Sequence, residues 1–541
     1  LTSYITGLGG AGAGYFADQS GSPRMWLGDE IWALLTNSGR WNSGNYQATL
    51  DTYFATRASQ GFTICYSDMF NSTFIGGATN GQMWNGQTPF TGNNPSSGLN
   101  STYWTVIDYA LNSAKVNGIT IALSFGGHWD WDTSGNAMFG FTGTQYQAAG
   151  NAIGTRYKSQ PNLVWLIMDD YFGTFDSSLS SLLTGLRASG DTHPIAIENY
   201  AQSSSRFIFR IDDTGCGTTN GSATVTDSNA TAQYVGASVT GSGIQAGSVI
   251  NSVTAGVSFV MNKTATAGAT VTLSILNSQA AWGTSNTQFN FGYAYDESYL
   301  PIETMYAEPS PLACIYGDGY FYQGGSVYAG GSGAGALDRA VRQEAWWAVA
   351  SGARGWDIGD EALWQWPSTA PAVVGTQWFA ANNAGNIRKA VELLPGWHTL
   401  APATGSALVT AGRGTRDTQR VSGTTTGQYE PATSNDYVAA SITPFGTLAL
   451  LYLPAAVTIT INQAMIQPGY TPYWIDPVTG AMSATTAGAT YNSTAKGNNS
   501  QGDPDWALAL VGPAPFAPLP APPAVSRGYA ARTAETYRAS R

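Results

Sequence analysis

Short apolar runs of strand length alternate with longer segments of helical period from Arg24 onward. The strand-like runs are Arg24–Glu30, Phe62–Tyr66, Ile119–Phe125, Leu163–Met168 and Pro194–Glu198. Helices are predicted between them over 45–59, Tyr103–Asn117 with Gly118 as its stop, 144–158 and Leu179–Ala188. After an interruption the series resumes with strands at Gln288–Tyr293, 312–317 and Arg354–Ile358, and helices at Leu337–Ala350 and 379–394. Such alternation calls for a parallel sheet. Polar residues gather after the strands, where a (β/α)8 TIM barrel keeps its active site.

The interruption is a change of composition. Residues from about 217 to 280 are rich in Gly, Ser, Thr, Ala and Val and carry only Asp227 and Lys263 as charges. Runs such as Ala223–Thr226 and Ala269–Ile275 predict a small β module set into a barrel loop, a place that tolerates insertion. From about 403 the runs become β throughout, as in Tyr437–Ile442 and Thr447–Tyr452. The expected organisation is α/β: the first part of the catalytic barrel over 1–211, an inserted β-rich module over 212–280 and the rest of the barrel over 281–402. A C-terminal β-sandwich over 403–512 and a Pro/Ala-rich tail or tether over 513–541 complete it.

Composition narrows the partners. Only 11% of the 541 residues are charged, the net charge is -11, and Gly reaches 65 residues. No basic stripe exists to engage a nucleic-acid backbone, and no apolar run reaches the ~18 residues that a membrane span requires. The polar, uncharged character suits an extracellular location, secreted or virion-associated, and leaves homo-oligomer formation or virion attachment open. No basic start followed by an apolar stretch opens the chain, which leaves export to a removed leader or another route. The 18 Trp and 28 Tyr suit sugar stacking as well as core packing. Cys65, Cys216 and Cys314 make no disulfide framework. With His128, His193 and His398 as the only histidines, no paired metal motif appears, and no phosphate loop or dinucleotide fingerprint asks for a cofactor.

The acids carry the chemistry. The fourth strand runs into Asp169 and Asp170, and the seventh into Asp318 between two glycines. Glycosidic cleavage needs one carboxylic acid to protonate the leaving oxygen and a second carboxylate to attack or to activate water. Asp170 and Asp318 are the expected pair, with Asp169 and Glu198 as alternatives. Tyr316, Tyr320 and Tyr322 are expected to surround Asp318. Asp29, Glu30, Asp68, His128, Trp129, Tyr293, Tyr320, Asp357 and Trp364 are expected to contact a polysaccharide or oligosaccharide. The rival reading is a carbohydrate-binding or structural protein on a degenerate barrel.

Several segments carry a family resemblance: Trp26–Trp32, Arg57–Thr63, Asn162–Asp170, Arg342–Trp347, Gly355–Trp366 and Leu393–Trp397. Together they resemble the apiosidase-like family of glycoside hydrolases over about 20–211 and 281–512. Tyr473–Gly480 is similar to the β domain, labelled collagen-binding by analogy, that often follows it. The resemblance implies a (β/α)8 barrel with catalytic acids after strands four and seven. The first falls on Asp170, where Met168-Asp169-Asp170 stands in place of Gly-Gly-Asp. The second falls on Asp318, where the family usually has glutamate, one methylene longer. The Gly/Ser/Thr module resembles inserts in bacteriophage virion proteins.

Overall fold

The computed structural model describes residues 3–9, 14–40, 44–70, 81–132, 134–168, 176–199, 209–230, 234–277, 287–292, 297–307, 311–317, 321–322, 334–360, 378–405, 407–416 and 436–513. Eight parallel strands form the barrel: β1 Trp26–Glu30, β2 Ile64–Asp68, β3 Thr120–Ser124, β4 Leu163–Leu166, β5, β6 Phe289–Gly292, β7 Ala313–Tyr316 and β8 Gly355–Asp360. Strand β5 is split into Ile195–Ala196, which pairs with β4, and Glu198–Asn199, which pairs with β6. The ring closes where β8 returns to β1, with Gly355 opposite Trp26.

The strands are buried on both faces, so each reads as a nearly continuous apolar run. Side chains at alternate positions (Trp26, Ile64, Tyr66, Ala122, Val164, Leu166, Ala196, Phe289, Phe291 and Ile315) fill the barrel interior. An N-terminal hairpin, Ile5–Gly9 with Tyr15–Asp18, adds Ile5 and Phe16 to that cluster. Thr120, at the start of β3, donates its hydroxyl to the Ile5 carbonyl at 2.7 Å. The hairpin therefore plugs the N-terminal mouth of the barrel. The sequence pattern did not predict it, because the run is short and glycine-rich.

The helices of eight residues or more among the described residues are α1 Tyr46–Gln60, α2 Ser101–Val116, α3 Gly143–Tyr157, α4 Asp176–Ala188, α5 Tyr299–Tyr306, α6 Ala334–Ala350 and α7 Trp378–Glu392. Thr142 and Gln145 form a reciprocal capping box at the start of α3. Helices α3 and α4 approach until backbones touch: a Cβ on Gly150 would lie 2.1 Å from the Leu182 carbonyl oxygen, and one on Gly185 would lie 2.0 Å from that of Gln147. Helix propensity alone would favour Gly150→Ala by about 1 kcal/mol. Overpacking costs about 1–3 kcal/mol, and here the obstacle is backbone rather than a flexible side chain. A net loss of stability is expected in chemical denaturation, and an unchanged or raised midpoint would refute the close packing.

No helix joins β5 to β6 among the described residues. The crossover that parallel neighbours require passes through the inserted module. Its strands Phe209–Thr218, Thr224–Thr226, Ser238–Gly241, Ser248–Thr254, Ser258–Met261 and Ala269–Asn277 form a closed antiparallel barrel. The first and last strands pair with each other, Phe209 opposite Asn277, so the module leaves the chain beside the point where it entered. Cys216, Val225, Val239, Phe259, Leu273 and Ile275 fill its core.

The C-terminal unit stacks a six-stranded sheet on a three-stranded one. Leu448–Leu453 shows why its sequence is apolar throughout. Ala449, Leu451 and Leu453 enter the sandwich core, whereas Leu448, Leu450 and Tyr452 share a cluster with Trp346 and Trp347 of α6. The two indoles donate to the carbonyls of Pro477 and Tyr437, each at 3.0 Å. The Arg342–Trp347 motif thus builds the junction between barrel and sandwich.

Candidate active site

The C-terminal ends of the strands place acids around the barrel axis. Along β2, Ile64 and Tyr66 point inward, so alternation aims Asp68 the same way. Tyr66 crosses the lumen: its ring packs edge-on against Phe291, with centroids 5.8 Å apart, and its hydroxyl donates to Glu198 Oε2. Glu198 is fully buried and belongs to the half of β5 that pairs with β6. It is therefore an inward carboxylate held by a phenol from the far side of the ring. The sequence singles out Glu198 as an alternative acid but not Tyr66. The inward positions 64, 66 and 68 were the signal that would have found it.

On β1 the acids at successive positions part company. Trp26 faces inward, and two-residue alternation sends Glu30 inward and Asp29 outward. Asp29 Oδ2 accepts from Arg57 Nε and from the Tyr53 hydroxyl, both at 2.6 Å. Asp29 is 1% exposed, so this ion pair ties β1 to α1 and takes the carboxylate away from a sugar. Glu30 is fully buried on the inner side. Asp357 on β8 is also internal: Trp26 Nε1 donates to its Oδ1. Gly28 makes room for it, since a Cβ there would lie 1.7 Å from that oxygen.

Beyond β3, His128–Asp132 forms a short helix. Asp130 is buried and stands with Asp68 near the Tyr103 hydroxyl. Burial first, then these two carboxylates, pushes the Tyr103 phenol well above its ordinary pKa. His128 is half-buried at the head of the helix. Tyr316 differs from the expectation. It faces the helix layer, and its hydroxyl donates to Glu344 on α6 at 2.8 Å. Asp169, Asp170, Tyr293, Asp318, Tyr320 and Trp364 lie outside the described residues, as do the side chains of Trp129 and Tyr322. Strand β4 leads into the first two acids and β7 leads into Asp318.

A cavity of about 810 Å³ lies at the other end of the barrel, lined by Tyr15, Glu303, Arg354, His398 and Arg416 among others. Arg354 precedes β8, and Tyr15 belongs to the plugging hairpin, so this hollow sits under the strand starts. In barrels of this type the chemistry belongs to the opposite face.

An eight-stranded parallel barrel with buried acids at its C-terminal rim is a scaffold on which many chemistries are built, and the family match identifies this one as a glycoside hydrolase. Residues 11–393 match the family described as apiosidase-like, catalytic domain, and the chain belongs to that family. Its fold is similar to that of a glycoside hydrolase family 5 protein from Bacteroides vulgatus, at 16% identity and a TM-score of 0.62, covering 96% of this chain and 98% of the other. A second solved structure, titled glycoside hydrolase, shows 15% identity and a TM-score of 0.61 over 95% of this chain and 98% of its own. No curated protein matches the chain. Among the described residues, no helix is long and apolar enough to cross a membrane.

Proposed function

We propose that the chain hydrolyses glycosidic bonds of a bacterial-surface or plant polysaccharide, with Asp170 and Asp318 as the paired carboxylates. One protonates the leaving oxygen, and the other attacks the anomeric carbon or activates water. The observation that carries this reading is the position of β4 and β7. They stand three places apart in the ring, so the two strands end on different sides of the barrel axis. The inward Glu30, Asp68 and Glu198 supply the polar rim that would grip sugar hydroxyls. A carboxyl separation of about 5–5.5 Å gives retention of configuration, and about 6.5–9.5 Å gives inversion. The charge-poor composition supports an extracellular or virion-borne setting, with the inserted module as an attachment or spacer element.

Reducing-end release from a panel of bacterial-surface and plant polysaccharides tests the proposal. Wild type releases sugar, and Asp318→Asn loses release by at least ~100-fold, the low end of a general acid–base contribution. Equal release by both proteins would remove Asp318 from the mechanism and turn attention to Glu198.

A further inference from the structure

Three groups able to hold a metal meet outside the catalytic barrel, in the core of the inserted module. Asp213, Cys216 and Asp227 bring their ligand atoms within 4.8 Å of one another. Asp213 and Asp227 are each 3% exposed, and Cys216 is fully buried. A β-bulge builds the arrangement. Val271 pairs with Cys216 and Leu273 with Asp213, so the first strand of the module carries an extra residue between them. Gly215 takes the left-handed φ of 83° inside the bulge. Residues three apart in sequence thereby share the interior face. Asp227 follows the strand Thr224–Thr226, whose Thr226 lies opposite Gly217, and so arrives beside Cys216.

The hydrogen bonds leave one atom over. Asp213 accepts from Asn229 Nδ2 and from the Tyr234 hydroxyl, both at 2.9 Å. Asp227 Oδ1 accepts from the Asn229 backbone N–H at 2.7 Å. No donor among the described residues reaches Asp227 Oδ2, which is buried. The module's lysine, Lys263, points elsewhere and donates to the Ala246 carbonyl at 2.6 Å. Among the described residues neither Asp213 nor Asp227 forms an ion pair. Two buried carboxyls side by side are held either by a shared proton or by a cation between them.

We infer that Asp213, Cys216 and Asp227 form a binding site for one zinc ion that staples the inserted barrel. The donor set selects the metal, because a sulfur ligand beside two carboxylates favours zinc over the hard cations calcium and magnesium. Zinc bonds of about 2.0–2.3 Å put tetrahedral ligand atoms about 3.3–3.8 Å apart. Closing the present triad onto an ion therefore takes movements of about 1 Å at most, with water as the fourth ligand. A module this small and glycine-rich gains most from such a staple. Burial raises Asp227, opposed by the Asn229 N–H and reinforced by Asp213, and burial raises the Cys216 thiol to about 12. Zinc must displace the thiol proton, so binding weakens as pH falls.

The full chain, stripped with chelator and desalted, is titrated with zinc chloride and separately with cobalt chloride. One equivalent of zinc is expected to bind and to raise the lowest unfolding midpoint. Cobalt is expected to give a sulfur-to-metal charge-transfer band in the near ultraviolet. Cys216→Ala should abolish the band, and Asp227→Asn, which keeps size and can still hydrogen-bond Asp213, should lose the stoichiometric zinc. Wild type that binds no zinc would overturn the site, and a proton shared by the two carboxylates would then account for the pair. Zinc retained equally by both variants, or binding without the sulfur band, would overturn it as well.

Discussion

Arg342→Ala is expected to destabilise the chain by about 3–5 kcal/mol, the range for removing one partner of a buried ion pair. Arg342 is 2% exposed on α6, and its guanidinium donates to both oxygens of Asp505, at 3.1 and 2.8 Å, and to Asp503 at 2.8 Å. Burial is the largest single influence and lowers the guanidinium pKa, but the charge and hydrogen bond of Asp505, with Tyr452 and Asp503, together outweigh it and the net shift is upward. Asp505 is fully buried. After the substitution it keeps the Tyr452 hydroxyl at 2.9 Å and Asn499 Nδ2 at 2.8 Å, but no cation. The carboxylate would then be charged in a dry junction between barrel and sandwich. Urea unfolding of wild type, Arg342→Ala and the double variant Arg342→Met/Asp505→Leu separates the causes. The double variant should regain most of the loss, because both charges leave together. A single variant within about 0.5 kcal/mol of wild type, the scale of ordinary surface substitutions, would show that the pair is not buried in solution. A chain of several domains need not unfold in one step, so the comparison belongs to the transition of the sandwich.

Asp170→Asn is expected to lower kcat about 10²–10⁴-fold with little change in KM, since a general acid or nucleophile acts in the transition state and contributes little to ground-state binding. Glu198→Gln provides the contrast. Gln keeps the shape and still accepts from the Tyr66 hydroxyl. If Glu198 serves by gripping sugar, the change appears mainly in KM. A larger kcat loss in Glu198→Gln than in Asp170→Asn would move the catalytic acid from β4 to β5. Product anomers followed by NMR from the first turnover then report retention or inversion, and with it the carboxyl spacing.

Much of the catalytic fold was legible because parallel strands buried on both faces write themselves as apolar runs, with helices of clear period between. Ile119–Phe125 and Leu163–Met168 gave β3 and β4 in this way. The same continuity hid which side each residue faces. Asp29 and Glu30 look alike in the sequence, yet one pairs with Arg57 and the other turns to the axis. Tyr316 lies one residue after the inward Ile315 and bonds Glu344 in the helix layer, where the sequence suggested a place beside Asp318. Helix α5 is not legible in the sequence, since eight residues holding Pro301 carry too few turns to show a period. The N-terminal hairpin is too short and glycine-rich to show alternation. The inserted module was visible as β, but closure into a barrel depends on pairing between residues far apart, such as Thr226 with Gly217 and Phe209 with Asn277.

Vectorial synthesis meets this chain with an awkward order of events. Every strand partner of the inserted barrel lies within 209–277, so that unit can finish as soon as it leaves the ribosome. The barrel around it is sealed only when Gly355–Asp360 arrives to join Trp26–Glu30. When the module is complete only five of the eight parallel strands have been made, their sheet has open edges, and a finished globule hangs from the last of them. The nested arrangement makes the outer barrel the slow and aggregation-exposed step in the birth of the protein.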